Sequence, residues 1–335
     1  MFLKRFLALL SARNKEFIRD RSSLSWNILM PVLIVAGFAF AFSGEYIEKY
    51  KVGVVEPAQQ HSVFTEFLKT RYIEFIPIKN TKRAMVKVER HQLDMLIAPE
   101  NGRYWINQES PNGYLVEKIL LGSAGSGLVK ETLSGKPIRY VDWVIPGILS
   151  MNIMFSGLFG VGYVIVRYRK NGMLKRLKAT PVTALEYLSA QVVSRLILIM
   201  AITVFIFYAT NYFIDYAMYG SHLSLFLVFA LGAISMISLG LVMAARLTSE
   251  EMAGGLLNLI SWPMMFMSGV WFSLEGTNPI MQKLAVIFPL THVTAAARAI
   301  MIDGASLMDV STHLLVLIVQ SLLFLLIGAL AFKWE

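Results

Sequence analysis

Cysteine is missing from all 335 residues, which excludes disulfides, thiolate nucleophiles and cysteine-ligated zinc at the outset. Charge is scarce as well. Asp, Glu, Lys and Arg make up 16% of the chain, against about 25% in soluble domains, while 56% of residues are hydrophobic. Histidine is thinly spread over His61, His91, His222, His292 and His313, with no H-x-x-x-H pair suited to a metal. No Ser-His-Asp set can be assembled from one region, so no catalytic residue and no metal ligand is assigned. Nucleotide-binding loops are lacking too. In GSAGSGLVKET (Gly122–Thr132), Leu128 and Val129 separate the last glycine from Lys130, whereas a P-loop needs lysine directly after it. TLSGKP (Thr132–Pro137) shares Leu-Ser-Gly with an ABC ATPase signature but lacks the Gly-Gln that meets a γ-phosphate.

What remains is apolar sequence organised around clusters of positive charge. The net charge of +9 is concentrated in two places: Lys4, Arg5, Arg13, Lys15, Arg19 and Arg21, then Arg167, Arg169, Lys170, Lys175, Arg176 and Lys178. Both clusters flank apolar runs, as the positive-inside rule requires, so the charge sets membrane orientation and no nucleic-acid partner is expected. In residues 1–22, Phe2, Leu3, Phe6, Leu9 and Leu10 recur at helical spacing, with Phe17 and Ile18 two turns on and basic residues between. This predicts an amphipathic helix in the cytoplasmic interface rather than a frayed tail. The core Phe6–Leu10 is too short for the h-region of a signal peptide.

Six spans are expected. Residues 23–44 hold the first, and at 1.5 Å per residue twenty of them cover about 30 Å. Trp143–Val166, Tyr187–Thr210, Leu223–Ala245, Met252–Val270 and His313–Phe332 follow within a membrane domain of 141–335. An even number of spans keeps both termini, both basic clusters and Arg246 on the cytoplasmic side of an inner or plasma membrane. The fifth span is irregular, with Pro263, Gly269 and Pro279 expected to break helix. Residues 272–302 are apolar but short and interrupted, and Lys283 and Arg298 are costly in lipid, so re-entrant outer helices are expected there. Arg195, about two turns inside the third span, is read as snorkelling back to the cytoplasmic surface. Asn152, Ser156 and Asn258 either line a pathway or bond between helices. Ser156 and Gly160 form a small-xxx-small face.

Residues 45–140 differ from the rest. They are nearly neutral, and KVGVVE, EFIPI, DMLIAPE and RYWINQ read as strands separated by helical stretches at His61–Thr70 and Thr81–Gln92. A longer helical pattern covers Tyr114–Leu133. The fold class expected is a polytopic α-helical membrane protein with six spans, an N-terminal interfacial helix, re-entrant outer helices and a small α/β extracytoplasmic domain.

Between the second and third spans, residues 168–182 contain GMLKRLKATPV. Met173, Leu174 and Leu177 cluster on one face of a short helix, Lys175, Arg176 and Lys178 cover the others, and Thr180-Pro181 ends it. The apolar face is buried by lipid or by a groove on a cytosolic partner. This run resembles the loop after the second span in the type-2 ABC transporter permease family, with Gly172, Leu177, Thr180 and Pro181 at matching places. The acidic residue common before the glycine is replaced by Lys170 and Asn171. MFMSGVWFSLEGTNP followed by FPLTHVTAAARAI is similar to the family's late exoplasmic stretch at Ser268, Gly269, Pro289, Leu290 and Arg298.

The resemblance implies a transport subunit rather than an enzyme. The 172–181 segment would be a coupling helix on a separate cytosolic ABC ATPase, which binds the ATP and Mg while this chain holds no cofactor. A second permease, identical or paralogous, would complete an exporter. The path would run between the two, near Asn152, Ser156, Asn258, Met264, Met265 and Met267, since thioether chains repack around apolar cargo. A periplasmic adaptor is a further partner for the outer domain. The competing reading is a membrane-anchored receptor or assembly factor whose outer domain binds a ligand.

The lack of native cysteine makes topology directly measurable. Single cysteines at Gln108 and Asn171 are expected to react with a membrane-impermeant maleimide from opposite faces of the membrane. Labelling of both from one face would overturn the assigned orientation.

Overall fold

The computed structural model describes residues 2–19, 32, 50–56, 64–78, 80–123, 127–135, 137–274 and 279–334. They fall into two compact units, one holding the N-terminal helix and everything from Tyr140 onward, the other the segment between. The expected first span, 23–44, lies outside the described residues apart from residue 32.

The intervening unit is built on a five-stranded sheet of β1 (Tyr50–Val55), β2 (Ile73–Ile78), β3 (Met95–Ala98), β4 (Arg103–Asn107) and β5 (Val129–Leu133), in the order β2-β1-β3-β4-β5. β1 is parallel to β2 and β3, β4 antiparallel to β3, and β5 parallel to β4. Alternate side chains take opposite faces of a strand. Val52, Val54, Met95, Ile97, Tyr104 and Ile106 therefore bury on one side with Phe64, Phe67, Val116 and Leu120. Leu96, Ala98 and Trp105 bury on the other with Ala84 and Val88. The first face is covered by α3 (Pro111–Ser123), the second by α2 (Thr81–Glu89).

Two sequence expectations are corrected here. The Tyr114–Leu133 helix stops at Ser123, and its tail is the strand β5. Gly127, at φ +110°, turns the chain, and the β-branched Val129 and Thr132 then gain a parallel partner in β4. Of the His61–Thr70 helix, the described part is a turn ending in a single 3₁₀ stretch, Phe67–Lys69.

The other unit is a helical bundle: α1 (Phe2–Arg19), α4 (Tyr140–Lys170), α5 (Met173–Lys178), α6 (Ala184–Ile214), α7 (His222–Ala244), α8 (Glu250–Met267), α9 (Pro279–Ala285), α10 (Pro289–Asp303) and α11 (Ser311–Ala331). Four of them, α4, α6, α7 and α11, are long and apolar enough to cross a bilayer, as in a polytopic membrane protein. The expected fifth span coincides with α8, an 18-residue helix with Glu250 and Glu251 in its first turn, which places it outside those four. Pro263 does not break it. The helix runs through to Met267 and ends where Gly269 takes φ +68°.

Starts and stops follow local chemistry. Thr183 and Glu186 form a reciprocal capping box on α6, Ser221 and Ser249 cap α7 and α8, and Pro289 opens α10 at a position where its missing N–H costs nothing. Burial then sorts the helices. In the apolar windows of α4 and α7, 67% of residues are buried, against 33% in α6 and 17% in α11, so the first pair is the core and α11 is peripheral. The core pair meets through glycine. A Cβ on Gly157 would lie 2.8 Å from Cβ of Met236, and one on Gly240 3.0 Å from the Leu158 carbonyl. Around this crossing Met151, Met154, Leu158, Met236, Leu257, Met264, Met265 and Leu290 pack together.

Gly157→Leu is expected to force α4 off α7 and to cost about 1–3 kcal/mol. Gly255→Ala meets nothing within 4 Å and is expected to be neutral or stabilising. Thermal unfolding in detergent reads both, and equal effects would contradict the close crossing.

Candidate functional site

At 1.5 Å per residue α4 is about 46 Å long, well beyond the ~30 Å hydrocarbon layer, so its C-terminal turns project past it. Asn171 and Gly172 end the helix by donating back to the carbonyls of Arg167 and Arg169 at 3.0 and 3.1 Å. Gly172 takes φ +69°, and since a Cβ there would meet nothing, it is the backbone conformation that asks for glycine. The chain then enters α5 directly. Leu174 is fully buried against the bundle, Leu177 half-buried, and Met173, Lys175, Arg176 and Lys178 are exposed. The Thr180 hydroxyl donates to the Leu177 carbonyl at 2.6 Å and closes the turn before Pro181. The apolar face expected to need a groove is thus divided, its centre covered by this chain and its edges open.

The last turns of α4 are bonded to α8, α1, the end of α7 and the segment after α11. Tyr163 donates to Glu250 Oε2 at 2.7 Å. Lys170, standing where the resemblance leads one to look for an acid, pairs with Glu250 at 3.3 Å and Glu251 at 4.0 Å on the first turn of α8. Tyr168 shares Glu16 with Arg13 of α1, and Arg13 Nε also donates to Gln191 Oε1 of α6 at 2.9 Å. Arg169 is 6% exposed and pairs with no carboxylate among the described residues. Its guanidinium donates to the carbonyls of Ala244 at 2.9 Å, Ala245 at 3.0 Å, Lys333 at 2.7 Å and Leu247. It thereby sits on the negative end of the α7 dipole. Arg5 of α1 donates to the Pro181 carbonyl beyond α5.

The other residues singled out from sequence divide into two groups. Ser268, Gly269, Pro289, Leu290 and Arg298 converge. Thr291 Oγ1 lies 3.0 Å from Ser268 Oγ, and Arg298 stacks 3.6 Å over the Trp143 ring while donating to the Trp143 and Gly269 carbonyls. The pathway set stays apart. Met264 and Met265 are core, Asn258 is exposed with its amide donating to Gly254 of its own helix at 2.9 Å, and Met267 is half-buried on the last turn. Asn152 lies half-buried on α4, one turn before Ser156.

Arg195 does not snorkel. Its Nε donates to the Ser156 carbonyl at 2.8 Å, and a Cβ on Gly160 would lie 2.0 Å from its guanidinium carbon. The small-xxx-small face therefore makes room for a guanidinium as well as for a helix. The histidines held one surprise. His292 and His313 meet with Nδ1 atoms 3.0 Å apart, and His292 Nε2 lies 2.8 Å from the Val286 carbonyl, which makes Nε2 the donor and leaves His292 Nδ1 to accept. Residues 21 positions apart give no sequence signal for this; only the reversal between α10 and α11 creates it. Among the described residues no group of three or more His, Asp or Glu comes together to hold a metal.

Comparison with known proteins follows this geometry. A family model described as ABC-2 family transporter protein matches residues 21–330. The inner membrane transport permease YhhJ of Escherichia coli (strain K12) is 23% identical over 236 residues, 66% of this chain and 63% of its own length. The chain therefore spans under two-thirds of that relative. The probable multidrug ABC transporter permease YbhS of the same organism is 20% identical over 367 aligned positions, 98% of this chain and 94% of its own length.

The α4–α8 contact has a pH consequence. The Tyr163 hydroxyl first, and Lys170 after it, hold the Glu250 carboxyl below the usual carboxylate range. A depressed folded-state pKa adds stability above the ordinary value near ~4.3, and that contribution disappears as pH falls through the lower folded value. Tyr163→Phe is accordingly expected to lower thermal stability at neutral pH, with the gap to the native chain narrowing as pH falls below the ordinary carboxylate value. A gap that stays constant on acidification would show that the hydroxyl does not act through the Glu250 charge.

Proposed function

Since the chain belongs to the ABC-2 family of transporter proteins, we propose that it is the permease subunit of an exporter driven by a separate cytosolic ABC ATPase. The observation that carries this reading is α5: a short cationic helix with exposed Met173 and half-exposed Leu177, set on the projecting end of the helix at the centre of the bundle. In this reading ATP and Mg bind the partner, and closure of two ATPase subunits presses on residues 172–181. The push passes straight into α4, because only Asn171 and Gly172 intervene. Both termini, both basic clusters and Arg246 face the cytoplasm of an inner or plasma membrane, and the 45–140 domain lies outside, where a periplasmic adaptor would meet it.

Two permeases would enclose the path, lined by α4 and α8. The outward face of α8 supports that assignment. It exposes Gly255 and Asn258 among Leu259, Trp262 and Phe266, whereas α11 exposes Leu315, Val319, Leu322, Leu326 and Leu330. An amide turned outward suits a mate or an aqueous path better than lipid. Helices α9 and α10 would re-enter from the outer side and close the path there. The designation of YbhS as a probable multidrug permease supports small apolar molecules as cargo.

Met173→Asp and Leu177→Asp are expected to weaken co-purification of the ATPase about tenfold or more, as loss of an apolar anchor does. Membrane insertion should be unaffected, since both side chains lie at the open edges of α5. Full ATPase association and turnover in the double variant would refute the docking role of this helix.

A further inference from the structure

The residues after α11 do more than end a span. Phe332 and Trp334 meet edge to face with ring centroids 5.3 Å apart, and both rings pack at a tilt against Tyr187, at 5.9 and 5.7 Å. Tyr187 is 2% exposed and sits on the first turn of α6. Between the two aromatics the Lys333 backbone is held from both sides: its N–H donates to the Ala245 carbonyl at 3.2 Å, and its carbonyl accepts from Arg169 at 2.7 Å. The Arg169 guanidinium also lies 6.0 Å from the Phe332 ring centroid.

These contacts matter because of where α5 hangs. It is suspended between two points, the last turn of α4 and the first turn of α6. The 332–334 segment touches both, through Arg169 on one side and Tyr187 on the other. Tyr187 continues the connection, its hydroxyl accepting from Gln191 at 3.2 Å and Gln191 accepting from Arg13 of α1. Arg169 is suited to the task. It is a buried cation whose hydrogen-bond partners among the described residues are all backbone carbonyls, on α7, on the turn after it and on the 332–334 segment, so its hold there does not depend on a carboxylate's charge. Removing the segment would strip one carbonyl and one ring from Arg169 and two rings from Tyr187, which frees both suspension points together.

We infer that Arg169 and the segment Phe332–Trp334 form a clip that sets the angle of α5 against the bundle, making them positioning elements for the surface on which the ATPase docks. The inference rests on the permease reading for its functional meaning, but its geometry is measured separately. In a permease the clip has a defined consequence: motion imposed on α5 is carried into α4 and α7 as one body instead of being lost in the α5–α6 turn.

The test uses the full chain in lipid nanodiscs, with spin labels on cysteines introduced at Lys175 on α5 and Met308 at the opposite end of the bundle, both exposed. The native clip is expected to give one narrow distance distribution. Trp334→Ala and Arg169→Gln are expected to widen and shift it at temperatures where circular dichroism shows the bundle intact, and Trp334→Phe to restore the narrow form. A role in stability alone would lower the unfolding temperature and leave the distribution unchanged. That result in Trp334→Ala, whose side chain is only half-buried and lies beyond the end of α11, overturns the clip even if Arg169→Gln fails to fold. Failure of the permease reading shows elsewhere, in ATPase association that ignores Met173 and Leu177, and would leave the spin-label result standing.

Discussion

A central helix half as long again as the hydrocarbon layer is thick must bring its last turns out among polar groups, and what those turns touch organises the whole basic end of the bundle. Tyr163, Tyr168, Arg169 and Lys170 occupy less than two and a half turns of α4 and reach α8, α1, α7 and the 332–334 segment. Arg169 is the costliest of the four to place. A buried guanidinium without a carboxylate is tolerated only where oriented dipoles replace water, and the carbonyls closing α7 supply them. Once that guanidinium is fixed, the direction in which α5 leaves α4 is fixed as well.

Within the apolar layer different rules apply. Apolar side chains gain nothing by leaving lipid for protein, so contact depends on shape, and glycine supplies the shape at Gly157 and Gly240. Gly160 shows the same economy used for a different end, opening space for Arg195 to donate to the Ser156 carbonyl. At the other end Arg298, Tyr140 and Ser268 tie the start of α4 to the turn after α8 and to α10. α4 is thus fastened at both ends, which is what a rigid transmitter between two faces of a membrane requires.

Much of this was legible in the sequence, and the parts that were not share a cause. Positions of α4, α6, α7 and α11 follow from long apolar runs, and β1 to β4 from short runs rich in apolar, β-branched and aromatic residues bounded by polar ones, because both signals are local. The strand β5 was missed because VKETL alternates only weakly and becomes a strand by pairing with β4, a partner more than twenty residues away. Helix was expected to fail at Pro263 and did not: α8 runs on to Met267. GMLKRLKATPV announced a short basic helix, but not that Leu174 would be covered by its own bundle. Arg169 read as one more positive-inside charge, and only tertiary structure separates it from exposed Lys175 and Arg176. The His292–His313 contact had no sequence signal at all.

What meets the open edge of α5 decides whether the helix docks on a motor. A photocrosslinking amino acid at position 173, activated in intact cells, addresses it most directly. A covalent adduct with a cytosolic ATP-binding cassette protein is the predicted result. Adducts with lipid alone, or with a protein exposed outside the cell, would contradict it.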